Sequence, residues 1–148
     1  YQAIILAAAG LKRLGLASRI RAIFEPEDSL PAAGQGALGI EIRAGRPELE
    51  AALAPLVHMP TWLCVAAERE VSRTLGGSCS VPLAAHGRWQ PGQVLCLEAA
   101  WGEPEATSTL LRARGERPIA SLSEAEALGR DVAVRLIAAG ARVTPPAA

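Results

Sequence analysis

The spacing of apolar residues changes period twice along the chain. The first run, Ala3 to Ala7, is continuously apolar, which suits a strand buried on both faces of a parallel sheet. Ala8 to Leu14 follows as a short helix, with Gly15 as its stop. Ser18 to Phe24 sets Ile20, Ile23 and Phe24 on one side of a further helical turn or two, and Glu25-Pro26-Glu27-Asp28 interrupts it as a surface loop. Leu38 to Arg43 alternates apolar and polar as a strand does. Ala44 to Pro47 turns, and Glu48 to Val57 is a short helix carrying Leu49, Leu53 and Leu56. His58-Met59-Pro60 is a second break and a candidate domain boundary.

The longest helical pattern runs from Thr61 to Leu75. Cys64, Ala67, Val71 and Leu75 recur at spacings of three and four on one face, and Glu68, Arg69, Glu70 and Arg73 take the other. Gly76-Gly77 ends it. Three strands follow: Leu83 to Trp89, Val94 to Trp101 with Leu95, Leu97, Ala99 and Trp101 on one face, and Thr107 to Arg114 with both arginines on one side. Short turns at Gln90-Pro91-Gly92 and Gly102 to Glu105 make them an antiparallel meander. Ser123 and Glu126 have capping-box spacing at the head of a helix from Glu124 to Ala139, with Gly140 as its C-terminal cap. Thr144 to Ala148 is a frayed tail. From about Pro60 onward the pattern is a small α+β domain with a three-stranded antiparallel sheet and helices.

Composition narrows the classes. The chain has 148 residues, 50% of them hydrophobic and only 3% aromatic, so its core is built from Ala, Leu, Val and Ile. A formal net charge of zero gives no footprint for nucleic acid. No apolar run reaches the roughly 20 residues of a membrane span, and no basic segment precedes an apolar one as in a signal peptide. Cys64, Cys79 and Cys96 contain no CxxC pair and leave one cysteine odd, which points to reduced cytoplasmic thiols. No initiator Met is present, and the opening directly on an apolar run suggests that something upstream has been cut away.

The candidate chemistry gathers on Leu75-Gly76-Gly77-Ser78-Cys79-Ser80-Val81-Pro82. Two glycines free the backbone to turn, Pro82 stiffens the exit, and a thiol on that turn can be held out to a bulky partner. By spacing alone Cys79 is either a covalent attachment point or simply a turn thiol. Cys64 and Cys96 read as structural, one on the buried face of the helix and one inside a strand. Neither these cysteines nor His58 and His86 have metal-ligand spacing. His86 could meet Cys79 in space as a Cys–His pair, although no group suggests itself to orient it. His58 is assigned no role. Gly34-Gln35-Gly36-Ala37-Leu38-Gly39 is a literal GxGxxG. It fails as a dinucleotide fingerprint because Pro31 precedes it, a strand pattern follows it, and no acidic residue stands at the required distance. A hinge or a close backbone approach accounts better for these glycines. Gln35 between two of them either donates to a ligand or bonds its own turn. Lys12 and Arg13 stand near the end of the first strand pattern, where open α/β sheets bind ligands, but pattern alone favours solvated helix charges.

Ala3 to Leu16, Leu30 to Glu41, Ala67-Glu68-Arg69 and Gly76 to Pro82 together resemble the porphobilinogen deaminase (hydroxymethylbilane synthase) family. The resemblance runs through essentially the whole chain, with its motifs in family order; Ser78 stands where many members have a glycine. It implies an enzyme of tetrapyrrole (heme) biosynthesis, a cytoplasmic transferase that is monomeric at full length. That enzyme condenses four porphobilinogens into linear hydroxymethylbilane and releases ammonia. Cys79 falls where the family carries a dipyrromethane cofactor in thioether linkage. Arg13 matches an arginine that binds the pyrrole acetate or propionate groups, which reverses the solvated-charge reading for that residue, and Gln35 matches a residue lining the same cleft.

The resemblance also implies a domain plan. Residues 1–30 are the C-terminal part of domain 2, and 31–56 are a hinge with a strand and helix returning to domain 1. Residues 57–148 are domain 3, the cofactor-bearing α+β domain. The N-terminal stretch is then an α/β fragment of a periplasmic-binding-protein-like domain pair. The catalytic aspartate lies upstream, so this chain is expected to hold no catalytic residue, to bind no metal and to be inactive by itself. A non-catalytic α+β module and a thiol redox sensor are the competing readings. No nucleic-acid or membrane partner is expected.

Overall fold

A computed structural model of the chain describes residues 2–77, 81–103 and 110–143. Its core lies in the C-terminal half. Three antiparallel strands, β1 (Leu83–Gln90), β2 (Val94–Gly102) and β3 (Leu110–Pro118), form a sheet in the order β1-β2-β3. The long helices α3 (Met59–Thr74) and α4 (Leu122–Ala138) pack on each other and on one sheet face. Before them come two short helices, α1 (Ala8–Arg13) and α2 (Pro47–Leu53), each followed by a brief 3-10 turn. The described fold of the C-terminal half is a small α+β domain, as its alternation of periods implies.

Strand β2 is central, so its inward residues Leu95, Leu97, Ala99 and Trp101 are buried with Ala67 and Val71 of α3, Leu75 just beyond its end, and Leu128, Val132 and Leu136 of α4. Small residues let the two helices approach closely. A Cβ on Gly129 of α4 would come 2.4 Å from the Ala67 carbonyl oxygen. A core with so few aromatics gains its packing density from such contacts.

Several expected elements are placed differently. The third strand runs on past Arg114 to Pro118, because it pairs along β2 as far as Val94↔Pro118. Residues 107–109 of the expected strand lie outside the described residues. The capping box of α4 uses Ser121 and Glu124, not Ser123 and Glu126. The Ser121 hydroxyl accepts from the Glu124 N–H at 3.3 Å, and the Glu124 carboxylate accepts from the Ser121 N–H at 3.1 Å. The repeat Ser-Leu-Ser-Glu-Ala-Glu offers both registers, and the earlier one starts the helix at Leu122.

The larger correction concerns the N-terminal half. Ala3–Ala7 and Leu38–Arg43 form no strand, and Ser18–Phe24 contains only a 3-10 turn at Ala17–Arg19. Ile4, Ile5, Leu38 and Ile40 are 72%, 79%, 99% and 62% exposed. A strand needs a neighbour for its backbone N–H and C=O groups, and among the described residues none pairs with these segments.

Candidate functional site

The segment that carries Cys79 connects α3 to β1. Ser78, Cys79 and Ser80 lie outside the described residues; the residues on either side of them are described. At the entry, Gly76 takes a left-handed φ of +73°. Its N–H donates to the Arg73 carbonyl at 3.2 Å, and the Gly77 N–H donates to the Ser72 carbonyl at 2.7 Å. This pair of bonds is the Schellman ending of a helix. Gly77 has no room for a side chain, since a Cβ there would come 2.8 Å from the Ser72 carbonyl oxygen. At the exit, the Leu83 N–H donates to Val81 at 2.8 Å and the Gly102 N–H donates to Pro82 at 2.9 Å. Leu75 before the turn is fully buried, and Val81 after it packs on the core. Trp101 pairs with Leu83 at this end of the sheet, and its buried indole N–H has no partner among the described residues.

Of the other two cysteines, Cys64 is a poor nucleophile. Burial, reinforced by the nearby Glu68 carboxylate, pushes the Cys64 thiol up to about 11, so it stays protonated and unreactive at neutral pH. Cys96 is buried within β2. Both are structural, in line with the sequence reading.

Arg13 is exposed in the last turn of α1 and makes no ion pair among the described residues. Gln35 is also exposed, and its side-chain carbonyl accepts from the Ala32 N–H at 3.1 Å. It therefore bonds its own turn, as one of its two readings had it, and its amide NH2 is left as a donor. The flanking Gly34 and Gly36 both adopt left-handed φ, +75° and +86°. That is turn geometry and not the strand-to-helix junction of a dinucleotide site. Nothing described joins Arg13 to Gln35, so each approaches any ligand from its own segment.

The sequence reading placed Glu68 on the solvent side of its helix; the structure buries it, with 4% exposure. Its two carboxylate oxygens accept from the Gly34 and Gly87 N–H groups, each at 2.7 Å, and His86 Nδ1 stands 3.7 Å away. His86 thus faces a carboxylate. The helical period alone could not reveal this, because the elements that cover Glu68 come from far along the chain. The recurrence of glycine at both donor positions was the available signal. Among the described residues no group of three His, Cys, Asp or Glu side chains is placed to hold a metal ion. No single described helix is long and apolar enough to cross a membrane.

Comparison with known proteins divides the candidate residues in two. Residues 1–51 match the family model described as "Porphobilinogen deaminase, dipyromethane cofactor binding domain", which takes in Arg13 and Gln35. Residues 62–138 match the model of the "Porphobilinogen deaminase, C-terminal domain", which takes in Glu68 and Cys79. The chain is 57% identical over 139 residues to the porphobilinogen deaminase of Albidiferax ferrireducens, covering 94% of this chain and 44% of that protein. It is 59% identical over 141 residues to that of Paraburkholderia phymatum, covering 95% of this chain and 42% of the relative. With the Ralstonia nicotianae protein the identity is 57% over 141 residues, and the shares covered are 95% and 42%. The chain spans less than half the length of these relatives.

Proposed function

Because the chain belongs to the porphobilinogen deaminase family, we propose that it is the C-terminal part of an enzyme that condenses four porphobilinogens into hydroxymethylbilane with loss of ammonia. A dipyrromethane primer is tethered to Cys79 through a thioether. The anchoring of the cysteine turn carries this reading. Residues 75–77 and 81–83 are pinned by backbone hydrogen bonds on either side of Cys79, as a tether that must bear a growing chain requires. Burial keeps the Cys64 thiol protonated, and Cys96 is buried within β2.

The chemistry suits a thiol. The thiolate of Cys79 attacks the methylene carbon of a pyrrole that loses its amino group as ammonia; the S–C bond forms as the C–N bond breaks. A thioether does not exchange with cellular thiols as a disulfide does, so the tether survives in a reducing cytoplasm. When bound, the dipyrromethane supplies the terminal pyrrole carbon that accepts the next unit. Arg13 offers a guanidinium fork for the pyrrole acetate and propionate carboxylates. Gln35 offers its free NH2 to the same cleft. The residues that suit such a group are the Cys79 thiol, the Arg13 guanidinium, which makes no ion pair among the described residues, and the Gln35 amide donor.

The domain assignment belongs to the same reading. Residues 1–30 complete domain 2 of a periplasmic-binding-protein-like pair, 31–56 cross the hinge and return to domain 1, and 57–148 are domain 3. The exposed Ile4, Ile5, Leu38 and Ile40 support it, since strands of a parallel sheet are apolar on both faces. The catalytic aspartate lies outside this chain, which by itself does not turn over porphobilinogen.

Intact-mass and peptide mass spectrometry test the assignment. The expected result, on the chain coexpressed with the upstream part of the protein, is an increment of two linked pyrrole units on Cys79, absent in Cys79→Ser. An unmodified thiol overturns the tether and supports a non-catalytic module. Reversible oxidation of Cys79 without a pyrrole adduct supports a redox sensor. Turnover of porphobilinogen by the isolated chain would refute the placement of the catalytic residue outside it.

A further inference from the structure

Glu68 is the one buried charged residue among the described residues, and the proposed reaction does not use it. Its surroundings are built for it. The edge of β1 that faces away from β2 offers the N–H groups of Ala85 and Gly87. The Ala85 N–H donates to the Pro31 carbonyl at 3.1 Å, and the Gly87 N–H donates to Glu68 Oε1 at 2.7 Å. The second carboxylate oxygen, Oε2, accepts from the Gly34 N–H at 2.7 Å. One side chain of α3 therefore holds together two backbone segments, 31–36 and 85–87.

We infer that Glu68 is a positioning residue: its carboxylate clamps the crossover segment Pro31–Gly36, and with it Gln35, onto the edge of β1. The significance of Gln35 rests on the proposed function; the clamp itself does not. A carboxylate has acceptors on both oxygens, and charge-assisted bonds to N–H are the stronger kind. An amide in its place has one acceptor and one NH2, so one of the two glycine N–H groups meets a donor. The group facing Glu68 from β1 is His86, and Cys64 stands one turn earlier on α3. Segment 31–36, Pro-Ala-Ala-Gly-Gln-Gly, carries no charge. Burial outweighs the two N–H bonds and the His86 charge, which holds the Glu68 carboxyl above its ordinary 4.5.

The test is NMR on the 148-residue chain, titrated between about pH 4 and pH 8. The Gly34 and Gly87 amide protons are expected to shift with one shared midpoint above 4.5. That midpoint should match the Glu68 side-chain carboxyl carbon. In Glu68→Gln both responses vanish, and hydrogen-exchange protection at Gly34 falls about tenfold while Leu97 and Val132 stay protected. Two amides that titrate separately, or not at all, overturn the clamp, as does unchanged protection at Gly34 in the variant. If Glu68→Gln does not fold, the wild-type titration decides alone. An adduct-free Cys79 would sink the proposed function and leave these amide readouts unaffected.

Discussion

At the scale of the residue, three positions carry most of the consequence. Gly77 is required because a Cβ would strike the Ser72 carbonyl oxygen, which closes the Schellman ending and cannot move independently of the helix. Gly77→Ala should cost about 1–3 kcal/mol, the usual penalty of overpacking, in a urea titration. It should also lower the fraction of Cys79 that carries an adduct. Gly129 answers to packing: its missing side chain is where α4 rests on the backbone of α3. Gly129→Ala should cost a similar ~1–3 kcal/mol yet leave the proposed adduct on Cys79 unaffected, which separates a core defect from a defect at the end of α3. Glu68 adds a pH effect of definite sign. Its folded carboxyl lies above 4.5, so between that raised value and 4.5 the folded chain holds a proton that the unfolded chain has released. Its contribution to stability therefore falls as pH rises through the raised value. Glu68→Gln should flatten that part of the stability–pH curve; a curve unchanged by the substitution would contradict the burial.

At the scale of the element, α4 and the sheet differ in how their boundaries are set. Local chemistry sets the start of α4. Ser121→Ala removes the acceptor for the Glu124 N–H and should cost ~1 kcal/mol. Ser123→Ala, one candidate cap further on, should change stability by less than about 0.5 kcal/mol. The Glu124 carboxylate accepts from the Ala120 and Ser121 N–H groups, which holds its carboxyl below 4.5. The stability this bond gives is present above 4.5 and is lost as pH falls through the depressed value, so Glu124→Gln should blunt the acid limb of unfolding. The sheet is set by pairing. The outer face carries Arg88, Glu98, Arg114 and Glu116, joined by exposed ion pairs such as Arg88–Glu98 at 3.5 Å. Such pairs are worth at most about 1 kcal/mol each. The inward Leu95, Leu97 and Trp101 dominate, at roughly 1.5–3 kcal/mol for each side chain fully buried.

At the scale of the whole molecule, the described chain joins a packed C-terminal domain to an N-terminal half that contributes little to its core. Residues 2–24 donate no side chain to the core cluster, and α1 touches only the turn that follows it. Removing residues 2–24 should therefore leave the thermal midpoint of the domain within a few degrees. Removing residues 2–36 should lower it, because Glu27 pairs with Arg88 at 2.5 Å and segment 31–34 covers the β1 edge. Equal midpoints for the two truncations would show that the crossover segment is not fastened to the domain.

The sequence by itself determined the helix–strand–strand–strand–helix order after Pro60, the inward faces of α3, β2 and α4, and the structural placement of Cys64 and Cys96. These follow from hydrophobic period, turn residues and motif spacing, which act between near neighbours in the chain. Only the tertiary structure decided that Glu68 is buried, that β3 runs on to Pro118, and that the apolar runs at Ala3–Ala7 and Leu38–Arg43 do not pair among the described residues. Each of these depends on what lies across from a residue in space: a carboxylate is buried only when distant N–H groups come to meet it, and a strand exists only beside another strand.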